Sequence, residues 1–314
     1  MMIRLNNLFF SFGVALLTLF GSCFLIGCSG QDQKSSDNRL NVAVSVEPHA
    51  FLLERIGGDR LRIDVLVPTG REPEHYQATP DKVAALSKAK VLFRTGMPFE
   101  ETLIPKLQSN TNDLKIVDLR TGITLRSLEL HDHDSYSSNN NIHLHTESDP
   151  HIWFAPTILK TEVQTVLQTL SEIDPEGVAQ YQKNAEQLLE EIEELRIDLT
   201  ERLAPFKAKT VFVFHPAYGY FCDEFGLHQR AVEFEGKSPK PQQLTALISE
   251  IRNHENIPAV FVQPEFNQAP TQAITETTGT KIVIHSSLER NVLKSMKCFA
   301  DEIILSKPND ANRE

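Results

Sequence analysis

Cysteine is scarce in this 314-residue chain, with four in all, and its charge pattern contains no basic block. HExxH, GxSxG and any paired-carboxylate motif are also missing. Each absence excludes something. A metalloprotease helix or a serine nucleophile elbow would carry one of those signatures. An acidic chain, with 31 Lys+Arg against 42 Asp+Glu and a net charge of −11, is a poor nucleic-acid binder, because phosphates must be met by grouped cations. So few cysteines do not make a disulfide scaffold, and a chain of this length needs none to bury a core. Its length fits one large domain or two lobes. Histidine is what stands out instead. Of 11 histidines, five fall within residues 131–151.

Residues 1–27 read as an export signal. Arg4 is their only charge, residues 8–26 are uncharged and mostly apolar, and the segment runs into Leu25-Ile26-Gly27-Cys28. A positive start, an apolar middle and small residues before the cut define a signal peptide. The apolar run is also long enough for a membrane anchor, but its ending resembles a bacterial lipobox, in which the Cys28 thiol is lipidated and becomes the first mature residue. Residues 28–38 are polar and read as a flexible tether. The expectation is a globular body held by lipid on the outer side of a bacterial membrane, in the periplasm or at the cell surface. Cys23 leaves with the signal. Cys222 and Cys298 remain, either bridged, as an extracytoplasmic compartment permits, or as two buried thiols.

Beyond residue 39 the pattern alternates. Leu40–Val46, Leu61–Val67, Lys90–Arg94 and Lys115–Leu119 read as strands, with helices over His49–Ile56, Pro80–Ala89 and Glu100–Ser109. The second half repeats this with strands at Thr210–His215, Gln229–Glu233, Pro258–Gln263 and Thr280–His285, and helices at Ala217–Phe225, Pro239–Asn253, Gln268–Thr278 and Arg290–Ser306. Thr79-Pro80 and Ser238-Pro239 read as helix starts, a hydroxyl cap followed by proline at the first helical position. Val/Ile/Leu-rich strands alternating with helices imply mostly parallel sheets covered on both faces. Between the halves, Val178, Tyr181, Ala185, Leu188, Ile192, Leu195, Leu199 and Leu203 recur every three or four residues, which predicts one long helix from Pro175 to about Leu203, capped by Asp174. The fold class is therefore α/β: two lobes, each a mostly parallel sheet flanked by helices, joined by a spine helix. The expected boundaries are 39–170 for the first lobe, 171–205 for the linking helix and 206–314 for the second lobe.

Three histidines stand in loops at the carboxyl ends of predicted strands or at the entry to a helix, where an open α/β sheet gathers its ligands. They are His75 in TGREPEHYQ, His151 in SDPHIWFAP and His215 after TVFVF. Their wide separations exclude a zinc finger and fit a site assembled from both lobes, and imidazole nitrogen suits zinc among other transition metals. His49, His228 and His254 read as ordinary loop residues. A separate tract, residues 131–147, places His131, His133, His143 and His145 among Asp, Asn and Ser. This composition suits weak, auxiliary metal capture by a polar loop.

Several segments together resemble the cluster A-I solute-binding lipoproteins of bacterial zinc and manganese ABC importers: TPDKVAALSKAKVLFRTGMPFEE, DPHIWFAP, FHPAYGYFCDEFGL leading into EFEGKSPKPQQL, and FVQPEF before KIVI. The resemblance covers residues 39–306. It implies two α/β lobes joined by a long helix, with the cation held between them, and in the zinc branch a His/Asp-rich loop where residues 131–147 stand. His151 and His215 match the family's ligand motifs directly. The first ligand segment matches Pro-His-x-Tyr-x-x-x-Pro with Glu74 in the histidine position, so that a one-residue slip makes His75 the expected ligand and Glu74 a substitute or an added oxygen. The manganese-type Asp-Pro-Leu segment reads Ser286-Ser287-Leu288 here, which leaves His285 or water for the fourth position and favours a nitrogen-rich zinc site. The function implied is capture of Zn²⁺, with Mn²⁺ as the alternative, and delivery by a monomer to an ABC permease and its ATPase. A surface adhesion lipoprotein or a secreted zinc hydrolase are the other readings. The resemblance implies a binding role without enzymatic activity.

Overall fold

The computed structural model describes residues 38–110, 113–128, 148–233, 237, 239–253, 257–266 and 269–306. The export signal, Cys28, His254 and residues 131–147 lie outside them.

Short apolar runs form the central strands of each sheet, where both faces are covered, and more polar segments form the edges. The first sheet contains β1 (Leu40–Val44), β2 (Leu61–Val65), β3 (Val91–Arg94) and β4 (Lys115–Asp118), in the order β2-β1-β3-β4 with every pair parallel. The second contains β5 (Thr210–Val213), β6 (His228–Ala231), β7 (Ala259–Val262) and β8 (Lys281–Ile284), in the order β6-β5-β7-β8, again parallel throughout. The two sheets thus share one topology. In each, the chain leaves the two central strands in opposite directions, which opens a crevice above their carboxyl ends.

Helices α1 (Glu47–Gly57), α2 (Pro80–Leu86) and α3 (Pro98–Asn110) belong to the first lobe. The Thr79 hydroxyl accepts from the Lys82 N–H at 3.4 Å, as the sequence predicts for a cap. Helix α4 (Pro156–Ile173) follows His151, whose segment the sequence predicts to enter a helix. Helix α5 (Val178–Leu203) is the spine, preceded by a 3-10 turn at Pro175–Gly177. Its 26 residues span about 39 Å at 1.5 Å rise. Tyr181, Ala185, Leu188, Ile192, Leu199 and Leu203 are buried along one stripe, packed on α1 and α4 at one end and on α6 (Gly219–Phe225) and α9 (Val292–Leu305) at the other. Asp174 does not cap this helix with its side chain. The carboxylate instead accepts from Arg60 Nε and Nη2, at 2.7 and 2.8 Å, and from the Tyr181 hydroxyl. On the other faces of α5, Glu191 takes Arg55 of α1 and Glu193 takes Lys160 of α4. Helices α7 (Pro241–Asn253) and α8 (Ala269–Thr278) complete the second lobe. Helix α7 begins at Pro241 rather than Pro239, and the Lys240 N–H donates to the Gln243 side chain at 2.8 Å. Cys222 is buried, Cys298 is exposed and both are free, so neither the bridge nor the pair of buried thiols is present.

The lobes meet through directional contacts. Trp153, fully buried, donates from Nε1 to the Ser287 carbonyl at 2.8 Å. Arg290, just before α9, pairs with Glu47 and Glu54 on α1. Among the described residues, no helix is long and apolar enough to cross a membrane.

Candidate metal centre

His215 is placed by the end of β5. The β5–β7 ladder continues through the Phe214 N–H to the Phe261 carbonyl at 2.7 Å and then stops. At the next residue the Gln263 side chain replaces the strand. Its Oε1 accepts from the His215 N–H at 3.2 Å and its Nε2 donates to the His215 carbonyl at 2.8 Å. Released from the sheet, the imidazole stacks on Phe266, with centroids 4.9 Å apart, and points its Nε2 into the crevice. His151 reaches the same place from the segment before α4. The Asp149 carboxylate fixes it twice, accepting from the backbone N–H at 2.9 Å and meeting Nδ1 at 2.7 Å. Asp149 is itself held by Arg126, whose guanidinium crosses Gly219; a Cβ there would stand 1.7 Å from Nη1.

Glu74 closes the group. Its Oε1 lies 2.9 Å from His151 Nε2 and 3.0 Å from His215 Nε2, and the two nitrogens are 3.1 Å apart. Among the described residues these three side chains form the metal-capable cluster, two of them buried and Glu74 partly so. Donors at ~2.0–2.1 Å from a tetrahedral Zn²⁺ stand roughly 3.3 Å apart. The three atoms therefore need only a slight opening to surround such an ion. Two neutral imidazoles and a carboxylate are also a donor set that suits zinc.

Local electrostatics favour a cation at this point. Burial by itself would raise the Glu74 carboxyl, but His215 and His151 hold it well below the usual carboxylate range. Burial opposes a charged His215 ring, yet Glu74 on one side and Glu233 on the other, 2.8 Å from Nδ1, hold its pKa well above the ordinary value. His151 is likewise buried and raised, by Asp149 and Glu74. Each ring therefore has a carboxylate behind it, which fixes the tautomer and increases the basicity of the nitrogen that faces the crevice.

Two residues singled out in the sequence do not join the cluster. His75 follows Glu74 in a tight turn closed by the Tyr76 N–H to the Pro73 carbonyl at 3.2 Å. Tyr76 packs inward on Phe99 of α3 and Glu74 turns into the crevice, which sends His75 outward, 68% exposed, with Nδ1 2.6 Å from Glu72. The one-residue slip is thus corrected, and Glu74 holds the position that the ungapped match assigns to it. His285 also points elsewhere. Its N–H still pairs with the Val262 carbonyl at 3.1 Å, so the ladder runs one residue past β8 and holds the backbone of His285. The ring packs beneath α9 against Phe299, donates from Nε2 to the Ser295 carbonyl at 3.0 Å and faces the Tyr218 hydroxyl at 3.1 Å. Burial lowers its pKa to about 4. His49, read as a loop residue, lies buried in α1 beside Glu162 and Trp153. His228 opens β6 and is exposed. Sequence reasoning missed Asp149, Glu233, Gln263 and Phe266. Asp149 and Glu233 stand inside the quoted DPHIW and EFEG segments, a signal that could have found them.

Comparison with known proteins agrees with this architecture. Residues 42–297 match the family model described as zinc-uptake complex component A, periplasmic. The manganese-binding lipoprotein MntA of Halalkalibacterium halodurans is 27% identical over 280 residues, 87% of this chain and 86% of that protein. The zinc-binding lipoprotein AdcA of Streptococcus pneumoniae strain R6 is 25% identical over 302 residues, 94% of this chain but only 58% of the longer relative. The crystal structure of ZnuA superposes with a TM-score of 0.78 at 30% identity, covering 86% of this chain and all of that one. With its parallel-sheet lobes, spine helix and inter-lobe cluster, the chain belongs to the zinc-uptake component A family of metal-binding, substrate-binding transport proteins.

Proposed function

We propose that this protein captures Zn²⁺ between Glu74, His151 and His215 and hands it to an ABC permease driven by its ATPase. The observation that carries the reading is the convergence of three ligand atoms, drawn from both lobes, within 3.1 Å of one another. The carboxylates behind both imidazoles support it, since metal-bound histidines are characteristically oriented in this way. Manganese is the second reading. It is favoured by the oxygen that Glu74 supplies where the family motif has a nitrogen, because oxygen donors suit Mn²⁺, and by the likeness to MntA. The proposal extends to a monomer tethered through lipid on Cys28, and to residues 131–147 as an auxiliary loop that holds extra metal weakly. Ordering such a polar loop costs roughly 1–2 kcal/mol per residue, which keeps its affinity below that of the preformed crevice.

Elemental analysis of protein purified without chelator, with competitive Zn²⁺ and Mn²⁺ titration, tests the reading. One equivalent of tightly held zinc is expected, preferred over manganese. Tight manganese with weak zinc selects the second reading, and no tight divalent cation at all overturns both. Deleting residues 131–147 should remove only a weak phase, and Cys28→Ala should leave an unprocessed, unacylated precursor.

A further inference from the structure

We infer that Glu265 is a fourth ligand to the same cation, an inference that rests on the cation-binding reading above. In the second sheet β5 and β7 are neighbours, and the crevice opens above their carboxyl ends. His215 follows β5 and Glu265 follows β7, so the two face each other across that crevice. Glu265 is also held there. Gln263, two residues earlier, clamps the His215 backbone in both directions, and Phe266, the next residue, stacks on the His215 ring. The loop is thus fastened to the metal-facing histidine on both sides of Glu265.

The carboxylate is only half engaged. Its Oε1 accepts from the Ser286 hydroxyl at 3.0 Å, while Oε2 is buried without a hydrogen-bond partner. Such an oxygen costs free energy unless something meets it. Glu265 lines the same cavity as Glu74, His151 and His215. It also lines an adjoining inter-lobe cavity of about 320 Å³, so it stands where a cation entering from that side meets the cluster.

Coordination asks for another group. Structural zinc takes four ligands, and the cluster supplies three. In the structure the Glu265 carboxylate rests on Ser286, outside the 4.8 Å group. Binding therefore requires the side chain to turn about its own bonds, giving up the Ser286 hydroxyl for the metal.

The test uses the full chain with Glu265→Gln, read by chelator-competed Zn²⁺ titration and by the visible absorption of the Co²⁺-loaded protein. Glu265→Gln should weaken Zn²⁺ by at least about 10–100-fold, the range seen even for groups that merely support a ligand, and should shift the cobalt bands. Unchanged affinity overturns the inference. So does weaker affinity with an unchanged cobalt spectrum, which would mean that Glu265 acts through its charge from a distance. If His151→Ala and His215→Ala abolish binding while Glu265→Gln does nothing, the cation site stands and only Glu265 falls. If binding survives all three changes, the underlying reading fails as well. Ser286→Ala supplies a second variant should the glutamine chain not fold. Freed from its competing hydrogen bond, Glu265 should tighten Zn²⁺ about threefold or more, and unchanged or weaker binding counts against the inference.

Discussion

His215 and His285 follow strands of the same parallel sheet, and each is 7% exposed, yet they serve opposite ends. At His215 the ladder has stopped, a glutamine side chain has taken over the backbone, and carboxylates flank the ring. At His285 the ladder runs one residue further, and the ring enters an aromatic layer of Phe154, Tyr218 and Phe299. One pKa is pushed up and the other is pushed down to about 4. A histidine at the carboxyl end of a strand is therefore only a candidate ligand. Whether it becomes one depends on where the strand ends and on which groups stand behind the ring.

The largest expected effect comes from removing the proposed ligands. His215→Ala or His151→Ala should weaken Zn²⁺ by several orders of magnitude in a chelator-competed titration. His285→Gln should leave that affinity within about twofold. Comparable losses in all three variants would erase the contrast.

Next in size is the acid response of His285. The folded ring takes its proton only near pH 4, whereas an unfolded histidine does so near 6.5. Its contribution is intact above about pH 6.5 and is lost as the pH falls toward 4. At ~1.4 kcal/mol per pH unit this amounts to roughly 3 kcal/mol. Urea unfolding across that window should show the His285→Gln chain losing less stability than the parent by about this amount. Parallel curves would contradict the burial argument.

Smaller effects should follow from the groups behind the rings. Glu233→Gln and Asp149→Asn each keep the shape but remove the charge, and each should cost about 10–100-fold in metal affinity. His75→Ala should change affinity less than about twofold, since its ring faces solvent and Glu72. A loss matching that of His151→Ala would return His75 to the site.

Most of the frame was legible in the sequence, because alternating apolar strands and a three-to-four residue stripe are local signals. Leu61–Val65 and Val178–Leu203 fall where hydrophobic periodicity puts them. His151 and His215 could be singled out because loops at strand ends and helix entries are where such sheets bind. The choice between Glu74 and His75 was not legible, since adjacent residues of a turn diverge and the inward direction was settled by Tyr76 packing on Phe99. Glu233 lies 18 residues from His215 along the chain and 2.8 Å from it in space, a relation set by the pairing of β5 with β6. The direction of His285 depended on one further ladder bond, which strand alternation suggests but does not fix.

The central claim is that Glu74, His151 and His215 hold the cation. Anomalous diffraction at the zinc edge from crystals of the loaded protein tests it most directly. The account predicts one strong peak about 2.0–2.2 Å from a Glu74 oxygen and from Nε2 of both histidines. A peak on His75 or His285, or none among these three side chains, would contradict it.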